Sequence, residues 1–137
     1  MTKVSMSTRL AAPADAVWQL VGRFNALPDW HPAVEKSELT EEGQVRRLGL
    51  VGGGTLVERL EHKDDKERVY SYTIEQAPLP VADYRAEIRV REEDDGSTTV
   101  EWAGEFTPKG APDADATKVV EGIYQAGLDN LRKMFGG

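Results

Sequence analysis

VADYRAEIRVREEDDGSTTVEWAGEFT, residues 81–107, decides how the rest of the chain is read. Tyr84, Ala86, Ile88 and Val90 recur at every second position, as do Val100, Trp102 and Phe106 with Gly104 between them. Alternate residues of an extended chain point the same way, so each set occupies one face of a strand. Asp83, Arg85, Glu87, Arg89 and Arg91 take the opposite face, as do Thr99, Glu101 and Glu105. Glu93-Asp94-Asp95-Gly96-Ser97 supplies the tight turn between them. Val81 to Arg91 and Thr98 to Thr107 therefore read as a hairpin with one wet face and one face directed at an aromatic core.

The same period runs upstream. Tyr70, Tyr72 and Ile74 share a face in a strand from Glu67 to Gln76, which Pro78 and Pro80 end. Lys63-Asp64-Asp65-Lys66 separates it from a strand over Thr55 to His62, and Gly52-Gly53-Gly54 separates that from Gln44 to Val51. Glu41-Glu42-Gly43 then turns back to Val34 to Thr40. With linkers this short, consecutive strands pair as an antiparallel meander. Val4, Met6 and Leu10 mark a further half-buried strand at the start of the chain.

Two helical regions complete the pattern. After Pro13, Val17, Trp18, Leu20, Val21 and Phe24 fall at helical spacing, with Pro13 at a favoured first position and Asp15 at the positive end of the dipole. Gly22 and Asn25 end this helix within about two to three turns and lead through a second short helical turn. The chain then enters Pro28-Asp29-Trp30-His31-Pro32, a stiff, non-repetitive corner, because proline fixes its own φ and restricts the residue before it. From Asp113 to Phe135, Val119, Val120, Ile123, Tyr124, Leu128, Leu131, Met134 and Phe135 form the stripe of an amphipathic helix of about five to six turns. Gly122 and Gly127 interrupt it, and Gly127 on the inner face is read as leaving cavity space beside the helix.

Composition narrows the class of function. At 137 residues the chain fits one domain, residues 1–137, able to bury a core without staples. Twenty-four acidic against 17 basic residues give a net charge of −7, which repels phosphate backbones and anionic membranes, so neither nucleic acid nor membrane is expected as a partner. The absence of cysteine removes disulfides, thiolate catalysis and iron–sulfur or zinc–thiolate sites. The two histidines lack ligand spacing, and Gly52-Gly53-Gly54 lacks the Lys-Ser/Thr of a phosphate loop, so no metal and no cofactor are expected. Glu92-Glu93-Asp94-Asp95 has the look of a calcium loop but reads as a solvated turn. No stretch matches a signal peptide or a membrane span, and a cytoplasmic monomer or homodimer is the expectation.

Ala12-Pro13 with Val17-Trp18, the run from Phe24 to Val34 through the proline corner, Gly53-Gly54 with Glu58-Arg59-Leu60, Tyr70 to Ile74, Pro78 to Val81 with Tyr84, and Thr98 to Trp102 resemble one family in order and spacing. The chain is similar throughout its length to the polyketide cyclase/dehydrase branch of the START-like (SRPBCC, birch-pollen-allergen-like) superfamily. The resemblance implies an α+β helix-grip fold: a curved seven-stranded antiparallel sheet wrapped around the long C-terminal helix, with two short helices after the first strand. It also implies a cavity between sheet and helix, and activities ranging from carriers of lipids or aromatic polyketides to cyclases, aromatases and dehydratases.

Within such a cavity, Trp30, Tyr70, Tyr72, Tyr84, Trp102, Tyr124 and Gly127 are the candidate ligand-binding residues, the alternative being that the rings simply fill a core. Glu58 shares strand parity with Leu56, Leu60 and His62. A carboxylate there needs a partner, which Arg46 or Arg47 could supply as a cross-strand pair. Left desolvated in a wet cavity, it could serve as general acid or base. A parity slip at the triple glycine would turn Glu58 outward. His31 reads either as a proton shuttle at the cavity mouth or as a structural hydrogen-bond donor, and His62 as solvated. The primary expectation is binding of a small hydrophobic or aromatic molecule. The alternative is an enzyme of the polyketide type using Glu58 or His31 for proton transfer.

Overall fold

A computed structural model describes residues 1–137. The strands are β1 (Thr2–Leu10), β2 (Val34–Thr40), β3 (Val45–Leu50), β4 (Thr55–Asp64), β5 (Val69–Gln76), β6 (Val81–Glu92) and β7 (Thr98–Pro108). They form one antiparallel sheet in the order β1-β7-β6-β5-β4-β3-β2, so the expected meander runs unbroken from β2 to β7 and β1 closes on β7. Helices α1 (Ala14–Val21), α2 (Leu27–Trp30) and α3 (Asp113–Phe135) complete the helix-grip, START-like fold, with a 3₁₀ turn at Phe24–Ala26.

The hairpin of β6 and β7 buries Tyr84, Ala86, Ile88, Val90, Val100, Trp102 and Phe106, with Ile88 opposite Trp102 and Val90 opposite Val100. α3 lies across this concave face and buries Ala116, Val120, Tyr124, Gly127, Leu128 and Leu131, a stripe at three- and four-residue spacing. Val119 and Met134 fall off the stripe and stay exposed. The curvature comes with bulges. One lies between Ala82 and Arg85, where Asp83 adopts φ 52° and two residues of β6 oppose one of β7; another lies between Leu60 and His62.

The second bulge corrects one expectation. Inner-face parity holds through Leu56 and Glu58 but not to His62, because the extra residue, Glu61, swings His62 onto the convex face. The proline corner needs a second correction. Its first half is one turn of helix, α2, with Pro28 in the opening turn, where the missing N–H costs nothing. His31, ahead of Pro32, leaves that turn in extended conformation, with φ −105° and ψ 114°. No helix of the chain is long and apolar enough to cross a membrane.

Candidate functional site

Between the concave sheet, α2 and α3 lies a cavity of about 210 Å³, lined by 16 residues of which 13 are hydrophobic. Its walls come from the ends of β3 and β4 around the triple glycine, from β5 and β6 on either side of the proline break, and from Val120 and Ile123 of α3. The ring and carboxylate residues in the wall are His31, Glu58, Tyr72, Tyr84 and Trp102.

Glu58 faces inward and is buried, because the glycine loop turns β3 into β4 without shifting parity: Arg46 lies directly opposite it. Arg46 is fully buried as well. Its Nε donates to Glu58 Oε1 at 2.8 Å, and its Nη2 sits 2.6 Å from the same oxygen without the alignment of a second hydrogen bond. Nη1 donates to the Phe24 carbonyl at 2.7 Å and, more weakly, to the Tyr70 hydroxyl at 3.4 Å. The guanidinium also lies 4.1 Å over the Phe24 ring, with Tyr72 and Tyr70 farther off. Arg46 thus ties β3 to the 3₁₀ turn and is itself outside the cavity wall. Burial works against its charge, yet its neighbours, Tyr70 and Glu58 foremost, hold it above the ordinary arginine value. Burial likewise pushes the Glu58 carboxyl above its ordinary range, and Arg46 offsets only part of this. Glu58 Oε2 accepts no hydrogen bond from the protein.

A second polar cluster starts on the adjacent strand, β5. Trp102 Nε1 donates to the Tyr72 hydroxyl at 3.0 Å, which lies 3.4 Å from the Tyr84 hydroxyl, which in turn contacts that of Tyr124. Trp102 and Tyr124 stack at 4.5 Å between centroids. Gly104 makes this possible, since a Cβ there would lie 2.2 Å from the Tyr124 hydroxyl. Burial raises the pKa of all three tyrosines, strongly for Tyr72 and Tyr84.

His31 reaches the wall with both ring nitrogens engaged. Nε2 lies 2.7 Å from the Ile123 carbonyl and Nδ1 accepts the Ala33 N–H at 3.1 Å, which assigns the neutral tautomer with hydrogen on Nε2. Burial lowers its pKa, and Arg46 adds to that. The imidazole therefore pins the proline corner to α3.

Five of the residues singled out in the sequence come together in the wall. Trp30, Tyr70, Tyr124 and Gly127 lie behind it: Trp30 and Tyr124 flank Trp102, and Tyr70 packs on Phe24. Gly127 makes no cavity space, because a Cβ on it would meet His31, Trp102 and Trp30 within 2.8–3.0 Å. The glycine is there for close packing. The sequence reading missed the apolar wall around the breakers, with Leu50, Val51 and Gly53 on one side and Leu79 on the other. The available signal was that apolar residues flank both interruptions of the sheet.

The family model for polyketide cyclase/dehydrase and lipid transport matches residues 1–136. The protein XoxI from Bacillus cereus is 43% identical, with a TM-score of 0.96 over 98% of this chain and 96% of that one. The Zhui aromatase/cyclase from Streptomyces is 27% identical, with a TM-score of 0.78 over 97% and 92% of the two chains. Abscisic acid receptor PYL2 from Arabidopsis thaliana is 27% identical over 92% of this chain and 73% of its own length. Sequence, topology and the cavity agree, and the chain belongs to the polyketide cyclase/dehydrase and lipid transport family.

Proposed function

We propose that this protein binds a compact, largely apolar molecule, aromatic or lipid-like, in the cavity between sheet and α3. The observation that carries this reading is the wall itself, 13 hydrophobic residues of 16 around about 210 Å³. An apolar cavity of roughly 150 Å³ already accepts benzene, whereas drug-sized sites start near 300 Å³, so the ligand is of one or two rings or a short chain. A small-molecule receptor by name and an aromatase/cyclase by name among its relatives support this wall as a place where small molecules are held.

Thermal-shift screening with aromatic compounds and short lipids, followed by native mass spectrometry, tests the proposal. Binders should raise Tm progressively, following the logarithmic dependence on free ligand. Leu56→Trp, which fills the cavity from β4, should abolish the shift. A panel in which nothing binds overturns the reading.

A second reading, proton transfer on a bound carbonyl compound, rests on Glu58 Oε2, the unbonded carboxylate oxygen of a cavity-wall residue whose pKa burial has raised. His31, tied to two backbone groups, suits positioning better than proton transfer. The second reading requires that Glu58→Gln abolish turnover of a carbonyl substrate while leaving its binding measurable.

A further inference from the structure

We infer that the cavity selects a neutral group that both donates and accepts a hydrogen bond, an alcohol or phenol hydroxyl, and rejects acids. This deepens the proposed function and rests on it. It follows from the number of hydrogens that the two polar clusters of the wall share.

Three tyrosine hydroxyls, Tyr72, Tyr84 and Tyr124, share two oxygen–oxygen contacts, and Trp102 Nε1 brings its own hydrogen to Tyr72. Each contact uses one hydroxyl hydrogen, so one of the three is left over. At Tyr124 that hydrogen would have no acceptor, because Tyr124 makes no other side-chain hydrogen bond and lies outside the wall. The surplus hydrogen therefore belongs to Tyr72 or Tyr84, both in the wall. Glu58 supplies the complementary surplus, since both Arg46 contacts fall on Oε1 and leave Oε2 with none. Glu58 and Tyr72 are on paired strands and the same face, with Glu58 opposite Ile74 and Tyr72 opposite Leu60. The cavity thus offers one donor and one acceptor on neighbouring side chains, and a hydroxyl satisfies both.

Charge selects in the same direction. Arg46 and Glu58 already neutralise each other, and Arg46 is not in the wall. A carboxylate ligand would meet the lone pairs of Oε2 and bring an uncompensated charge into an apolar enclosure. An ammonium would carry the same desolvation cost with opposite sign.

Titration calorimetry with naphthol, methoxynaphthalene, naphthalene and naphthoate on the unmodified protein tests this, because the four differ chiefly in what they offer the wall. Naphthol should bind about tenfold tighter than naphthalene, as expected for one well-made hydrogen bond to a charged acceptor, with methoxynaphthalene, which can accept from the tyrosine but not donate to Glu58, between them and naphthoate weakest. In Arg46→Met/Glu58→Leu the preference for naphthol over methoxynaphthalene should vanish. If naphthalene or methoxynaphthalene equals naphthol, or naphthoate binds tightest, the hydroxyl inference falls and the cavity reading stands. If none of the four binds, the cavity reading falls with it.

Discussion

The two polar clusters on the concave face start on adjacent strands of one cavity wall and are built on opposite principles. Arg46 and Glu58 pair two opposite full charges through contacts on one carboxylate oxygen and bind a third element, the 3₁₀ turn, through the Phe24 carbonyl. The tyrosine chain carries no charge, spreads over β5, β6, β7 and α3, and depends on a glycine for room. The ion pair is costly to break and cheap to replace as a unit, whereas the hydroxyl chain is cheap to cut at any one point but costly to crowd.

The largest effect that distinguishes them comes from alkali. All four tyrosines of the chain, Tyr70, Tyr72, Tyr84 and Tyr124, have pKa values raised by burial. Above the ordinary value of 10 the unfolded chain loses tyrosine protons that the folded chain retains. The stability they contribute is thus full below pH 10 and lost as pH rises beyond it. Tyrosinate absorbance should appear only together with loss of far-UV circular dichroism; tyrosinate in a folded protein would mean that the chain is open to solvent.

Next in size is the ion pair. Glu58→Leu leaves Arg46 buried without its counter-charge and should cost about 3–5 kcal/mol in urea unfolding, most of which Arg46→Met/Glu58→Leu should recover. Equal losses in the single and double variants would show that the pair earns its place by attraction and not by mutual neutralisation. Crowding the other cluster is a smaller perturbation: Gly104→Ala drives a methyl into the Tyr124 hydroxyl and should cost about 1–3 kcal/mol, with loss of the near-UV signal of the Trp102–Tyr124 stack. The smallest expected effect is Tyr84→Phe, which removes the middle hydroxyl for about 0.5–1.5 kcal/mol, read from the same unfolding curves.

The sheet was legible because its signals are local. Proline pairs, the triple glycine and the acidic turn mark its segments, and alternation within each segment assigns its faces, although the inward position of Glu58 waited on whether the triple glycine shifts parity. Less legible was anything that depends on a non-local partner. The choice between Arg46 and Arg47 waited on register, and the outward turn of His62 on a bulge at Glu61 that no residue pattern announces. Gly127 was read with the wrong sign: a missing side chain in sequence looks like space, and only the rings of His31, Trp102 and Trp30 reveal that the space is taken. The cavity wall escaped for a related reason, since its apolar residues lie at segment ends, where alternation is weakest.

The pairing of β1 with β7 sets the order in which this protein can assemble. Thr2 lies opposite Phe106, and Ala11 N–H donates to the Gly136 carbonyl, so the start of the chain is completed by its far end. Every other strand finds a neighbour adjacent in sequence and can zip as it emerges from the ribosome. β1 must wait, its backbone groups exposed and its sticky edge unguarded, until some hundred further residues have been made, and closing so long a loop late is slow. Nascent-chain aggregation is thus a hazard written into the topology, and it is β1, which contributes no residue to the cavity wall, on which the yield of folded protein depends.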